Sequence, residues 1–443
     1  MYLKGSVMVS SWVILCFLAP MMLKIAGVTL LDFAVIIILL LNFCWFLKQG
    51  FRFRFISTID RSLLGFAAIM VLSYAVNALS PYEDQKAFVA SRGLSADFLF
   101  LRLTLYGLVT ILMILVSYRM VAEQVRKPEQ IETVIRVLAL SGLVNAIITN
   151  GYWLLTTGGS FARYNFDPPI ESSQGIHFNF MSLTFMIALT LLLSFKNSRK
   201  QKLLLVSTLA MTFFSMLTVM VRQGWVSFIF ILFYYIYTIR FDLSKKVRRR
   251  ILTVSILVGL TLFAVVAVMF RAQIIAMFVE LFTVSGSDDD QGSWLMRFAL
   301  MRHGLDVFLD HLLLGVGYGH YPSYSTVPIF VSGVRTYVSS PHNGLVTIAA
   351  ETGIAGLFLF VAISWNLLRE SRSTFHAVQH RPMRLLAGTI HAFLLVAVIS
   401  QLFSNSILIP LPTERTMMQG GFVLWILVGL MSSVKRHYGM VKS

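Results

Sequence analysis

Apolar residues in this chain come in long runs and do not alternate with polar ones. The runs recur at approximately 6–23, 27–47, 62–80, 98–117, 131–157, 176–195, 203–220, 225–240, 251–270, 343–368, 385–409 and 418–434. Each approaches the roughly 17–25 residues that a helix needs to cross the hydrocarbon core of a bilayer, the run at 225–240 being the short one. In lipid every backbone N–H and C=O must be paired internally, so only helices and closed barrels cross. Barrel strands would alternate apolar and polar positions, and these runs do not. The pattern predicts an all-α polytopic membrane protein of about twelve transmembrane helices. Helices 1 to 9 fill 1–270, a long loop fills 271–341, and helices 10 to 12 with a tail fill 342–443.

Composition agrees. Of 443 residues 57% are apolar and 13% charged, against about 45–50% and about 25% in a soluble chain. The mean hydropathy is +0.77. A soluble enzyme, a disordered tail and a disulfide-rich secreted domain are excluded. Cys16 and Cys44 both lie in apolar runs and read as small packed hydrophobes.

Charge then orients the chain. Thirty-seven Lys and Arg against 20 Asp and Glu give +17. In a soluble chain that excess would suggest nucleic acid; in a membrane chain it marks the cytoplasmic side. With the N-terminus inside, the stretches Lys48–Arg61, Arg119–Lys127, Lys196–Lys202, Arg240–Arg250 and Arg369–Arg384 all fall inside. With Lys4 and the C-terminal tail they hold twenty-five of the 37 cations. The prediction is N-in and C-in, with membrane lipid and no nucleic acid as partners.

The cations left over are the informative ones. Arg222, in Val221-Arg-Gln-Gly-Trp225, sits at the outer end of the seventh span, where the positive-inside rule disfavours it. It reads either as a snorkelling side chain or as an anion ligand. The loop 271–341 falls outside by parity, and loops of that length in compact proteins carry function. Trp294, Phe298, Met301, Leu305 and Phe308 are spaced for one helical face, which predicts a cap of one or two helices carrying Arg297 and Arg302. Guanidinium forks at those positions fit phosphate. His342, between Pro341 and Asn343 at the outer mouth of the tenth span, has a side chain whose pKa suits proton transfer near neutrality. Glu351 lies two turns further on, as its partner or as a packed structural acid. Asp32, Arg102 and Arg136 are the other ionisable residues placed inside spans.

Three motifs are set aside. Gly315-Val-Gly-Tyr-Gly319 lacks the Thr and the pore helix of a potassium filter and the strand of a dinucleotide fold. Its glycines serve tight turns or a close approach of backbone to a ligand. Asp288-Asp-Asp290 reads as a solvated turn, and His376 and His380 find no further zinc ligand.

The stretch from Arg297 through Asp310-His-Leu-Leu-Leu-Gly-Val-Gly-Tyr-Gly-His-Tyr321, followed by Ser340-Pro-His-Asn-Gly-Leu345 and Ala350-Glu-Thr-Gly-Ile-Ala-Gly-Leu357, resembles the O-antigen ligase and Wzy-type polymerase superfamily. Arg222-Gln-Gly-Trp225 is similar to that superfamily's Arg-Gly turn. The likeness is strongest over 203–360. Val221 stands where the family often has Ser, and Leu312 where it often has Pro; neither change removes a charged group. The resemblance implies a GT-C-like glycosyltransferase on the periplasmic face of the bacterial inner membrane. Its donor would be a glycan on undecaprenyl diphosphate and its acceptor a sugar hydroxyl of lipid A–core, with no cofactor. Arg222 and Arg297 would hold the donor diphosphate and His342 would be the catalytic residue. Arg302, Asn343 and Glu351 are further candidates, and no metal ligand is implied. A Wzy-type polymerase joining lipid-linked repeats is the alternative. A lipid or polysaccharide transporter is the alternative of another class, but its related halves and midplane site are not what one charged outer face suggests.

Overall fold

The computed structural model describes residues 9–10, 24–25, 28–29, 57–79, 96–159, 174–219, 222–239, 292–321, 329–331, 334–336, 341, 343–402, 408–409 and 415–439. Nine of the twelve predicted runs are helices among these residues. They are α1 (Thr58–Leu79), α2 (Ala96–Gln124), α3 (Pro128–Thr157), α4 (Gln174–Ser194), α5 (Arg199–Val219), α6 (Arg222–Ile239), α8 (Gly344–Ala377), α9 (Arg381–Ser400) and α10 (Arg415–Tyr438). The cap helix α7 (Gly292–Asp310) lies between α6 and α8 in sequence, as the spacing of its apolar residues predicts. The predicted runs 6–23, 27–47 and 251–270 lie almost wholly outside the described residues.

The all-α expectation holds for the described residues, with two short ladders beside the helices. Among the described residues these two antiparallel ladders are β1 (Lys24–Ile25) with β2 (Val28–Thr29), and β3 (Ile329–Val331) with β4 (Val334–Thr336). The second falls in the predicted cap, where Ile329-Phe-Val-Ser-Gly-Val-Arg-Thr336 carries a two-residue Ser-Gly between β-formers, a hairpin pattern.

Among the described residues seven helices are long and apolar enough to cross a membrane, and Gly224–Tyr237 is a shorter apolar segment. Leu203, Val226 and Phe233 stay exposed, as expected of side chains that a bilayer covers. The interior is packed by Phe66, Phe178, Phe360 and Trp425, the indole N–H of Trp425 donating to the Leu408 carbonyl at 2.8 Å.

Helix ends sort into two faces. At one, Arg119 of α2 makes a buried two-point ion pair with Asp60 of α1, at 2.8 and 3.2 Å. Ser433 of α10 reaches the Val121 carbonyl there. At the other end the Gly344 N–H donates to the Gln401 carbonyl at 2.8 Å, joining the start of α8 to the end of α9. The described cations Arg126, Lys127, Arg199, Lys200, Lys202, Arg381, Arg384, Lys435 and Arg436 all lie at the Arg119 end. Arg136, within the apolar helix α3 as expected, lies toward this end too. Its guanidinium donates to Glu132 Oε1 at 2.7 and 2.8 Å and to the Lys196 carbonyl at 3.4 Å.

Candidate active site

The opposite end is built around a break in α8. Gly353 has φ 65° and ψ −168°, outside the helical region. A break leaves carbonyls and N–H groups without helical partners, and buried backbone groups must be paired elsewhere. The Gly-rich segment after α7 supplies the partners. Val316 N–H donates to the Ala350 carbonyl and Gly317 N–H to the Glu351 carbonyl, both at 2.9 Å, while Ile354 N–H donates to the Leu312 carbonyl at 2.8 Å. This backbone-to-backbone clasp admits no side chain at its two contact points. A Cβ on Gly315 would strike the Ala350–Thr352 backbone, and one on Gly353 would strike Leu313 and Leu314. Both residues also have positive φ. The close approach expected of the glycine run is therefore made to the protein's own helix.

Side chains lock the clasp from α1. Ser73 Oγ donates to the Leu314 carbonyl at 2.6 Å and Asn77 Nδ2 to the Gly315 carbonyl at 3.1 Å. Tyr318 packs edge-on to Phe66 at 6.1 Å. Glu351 is buried and its Oε1 accepts from Tyr321 N–H at 3.4 Å, so it holds the end of the Gly-rich segment. Burial, followed by the Glu351 charge, pushes the Tyr318 and Tyr321 phenols above their ordinary value. His320 in the same segment is buried, which pushes its imidazole down to about 3. That ring is too weak a base to gain a proton near neutrality.

The cap helix α7 lies on the start of α8. Gly304 faces Val346 and Pro341, and Tyr321, Val307, Val316 and Ala350 form a small second core beneath it. Asn343 caps α8: its Oδ1 accepts from Leu345 and Val346 N–H, each at 3.1 Å, and its Nδ2 donates to the Leu402 carbonyl at 2.9 Å. Its amide also meets Met301 Sδ of α7 at 3.7 Å. His342 lies outside the described residues, but its neighbours Pro341 and Asn343 both rest on α7. Arg297 is in α7, four residues before Met301 and seven before Gly304. That spacing puts position 297 on the helical face turned to the start of α8. Arg302 is exposed and one residue out of phase with that face.

Arg222 is the first residue of α6 and follows the end of α5 by three positions, at the same end of the bundle as the start of α8. The Gln-Gly-Trp after it is structural. Gly224 lets α6 approach the Phe178 ring, where a Cβ would strike. Trp225 packs edge-on against Phe178, Phe213 and Phe228 at 5.2, 5.9 and 6.1 Å. Beside this aromatic pin, buried His177 hydrogen-bonds Ser215 Oγ through Nε2 at 3.0 Å. His177 and His320 were not singled out in the sequence, where a lone His in an apolar run carries no sign of its partner.

One end of the bundle thus carries the clasp, the cap helix with position 297, the flanks of His342 and the Arg222 turn. Residues 207–361 match the family model for O-antigen ligase (Wzy_C). The resemblance to the O-antigen ligase and Wzy-type superfamily holds over that segment. It begins in α5 and ends in α8, and takes in Arg222, Arg297, Gly315, Gly353, His342 and Glu351. The family supports a glycosyl-transfer function of the O-antigen ligase or polymerase type, acting on lipid-linked glycan. No curated protein matches the chain.

Proposed function

We propose that the protein is a GT-C-like glycosyltransferase of the bacterial inner membrane. It moves an O-antigen-like glycan from undecaprenyl diphosphate to a sugar hydroxyl of lipid A–core on the periplasmic face, as an O-antigen ligase in lipopolysaccharide biosynthesis. The observation that carries this reading is the O-antigen ligase match over 207–361, the segment that holds Arg222, Arg297 and His342. The gathering of most described cations at the far end of the bundle supports it, because the positive-inside rule then turns the clasp end to the periplasm.

In the proposed reaction His342 takes the proton of the acceptor hydroxyl. The acceptor oxygen bonds to the anomeric carbon from the side opposite the diphosphate, with inversion. The bond from that carbon to the diphosphate oxygen breaks, and its electron pair leaves with undecaprenyl diphosphate. Arg222 and Arg297 hold that diphosphate as its charge grows, through charge-assisted hydrogen bonds that need no metal. Asn343 fixes the start of α8, and Glu351 keeps the clasp closed. Arg302, on the exposed face of α7, is not required.

The acceptor separates ligase from polymerase. Delete the gene and resolve the surface glycan on a gel. Bare core with long chains left on the carrier lipid is the expected result. Core bearing a single repeat would make the protein a polymerase.

A further inference from the structure

A cavity of about 890 Å³ opens at the cation-rich end, between α6, α8 and α9, its wall on α8 beginning twelve residues beyond the break at Gly353. Its wall on α8 carries Trp365, Arg369, Arg372 and His376. These positions step by four, three and four, so they share one helical face. The same face continues toward the middle of the bundle through Val361 and Phe358, which are 51% and 71% exposed; Trp365 is 67% exposed. Along one line the strip passes from apolar to aromatic to cationic. A diacyl lipid with an anionic headgroup has that order from tail to head.

Two further observations favour an anion at the cationic end. Two arginines at this end are paired, Arg119 with Asp60 and Arg136 with Glu132. Arg369 and Arg372 are exposed and have no carboxylate partner among the described residues. The opposing wall is fixed. His391 is buried, accepts or donates to Ser371 Oγ at 2.7 Å, and packs edge-on to Tyr234 at 5.6 Å. Tyr234 and Tyr237, near the end of α6, complete an aromatic rim, and such rings favour the membrane–water interface. Basic pockets between helices on this side of a membrane suit lipid phosphates.

We propose that this cavity binds the phosphate headgroup of an anionic glycerophospholipid, with an acyl chain along Trp365, Val361 and Phe358. The site is separate from the transfer reaction and does not depend on it.

The test uses the purified full chain in detergent, with lipid retention read by native mass spectrometry. Dioleoylphosphatidylglycerol, dioleoylphosphatidylcholine and inorganic phosphate are the probes. The anionic lipid should be retained, and the other two should not. Arg369→Gln/Arg372→Gln should weaken its retention roughly thirtyfold, since two surface cations are removed. Lys200→Gln/Lys202→Gln, equally exposed at the same end but outside the cavity, should change it less than about twofold. Arg372→Gln alone should give an intermediate loss, and its melting temperature should equal that of the parent. Equal retention of phosphatidylcholine, phosphate bound as well as the lipid, an equal loss in the lysine variants, or no loss in the arginine variants would each overturn the proposal.

Discussion

The two ends of the bundle are held together by different physics. At the cation-rich end, charge is plentiful, and the charges that enter the protein are matched: Arg119 to Asp60, Arg136 to Glu132. At the clasp end few charges are present, and geometry does the holding. Carbonyls freed by the break at Gly353 find the N–H groups of Val316 and Gly317, and two glycines let the backbones touch. The comparison teaches that the number of charges and their chemical use run in opposite directions. Most of the described cations gather at one end of the bundle, as the positive-inside rule would have it for a cytoplasmic face, and the chemistry is proposed where cations are sparse.

The sharpest way to break the comparison is to fill the clasp. Gly353→Val meets both a left-handed φ and the Leu313–Leu314 backbone. We expect a loss on the order of 4 kcal/mol or more, seen as little monodisperse protein and a collapsed melting transition. Gly151→Ala is the control at the same end, since nothing lies within 4 Å of its added Cβ. That change should hold or raise the melting temperature, and a drop equal to that of Gly353→Val would remove the clasp from the account.

At the other end the largest effect should come from Arg119→Gln, which leaves the Asp60 carboxylate buried and without its cation. The expected cost is about 3 kcal/mol. Asp60→Asn in the same chain should restore part of it, as melting curves of the single and double variants would reveal. No recovery would mean that the pair's role is packing alone.

A smaller effect concerns acid. His320 has a folded pKa of about 3 against an ordinary 6.5. The unfolded chain therefore binds the proton that the folded chain refuses. Stability from this group is complete above pH 6.5 and is lost as pH falls toward 3. Melting measured from pH 7 to pH 5 should lose about 1–2 kcal/mol, and His320→Gln should flatten that slope. An unchanged slope in the variant would assign acid sensitivity elsewhere. The smallest effect is expected from Lys200→Gln, an exposed cation of the topological set, at less than about 0.5 kcal/mol.

Helices were legible because apolar runs of bilayer length admit few other solutions. Their ends were less so. The run predicted at 98–117 continues as helix to Gln124 because the Asp60 carboxylate, far off in sequence, accommodates Arg119. The run predicted to 409 stops at Ser400, where the Gln401 carbonyl is taken by Gly344. The β3–β4 hairpin had a local pattern that the helix expectation for the cap overrode. The clasp had only half a sign. Its glycines are visible in the sequence, but their partners lie in α8, and the polar clamps Ser73 and Asn77 stand 241 and 238 residues away from the carbonyls they bind. Asn343, next to a candidate catalytic His, proved to be a helix cap, a role that depends on two N–H groups that follow it in α8.

The most direct test of the central claim is transfer by the purified protein in liposomes, supplied with undecaprenyl-diphosphate-linked glycan and lipid A–core. Product should form with the parent chain. His342→Ala should cut the rate by about 10²–10⁴-fold at an unchanged melting temperature. Transfer at the parent rate by that variant, or no transfer by the parent to lipid A–core under conditions where the donor is intact, would contradict the account.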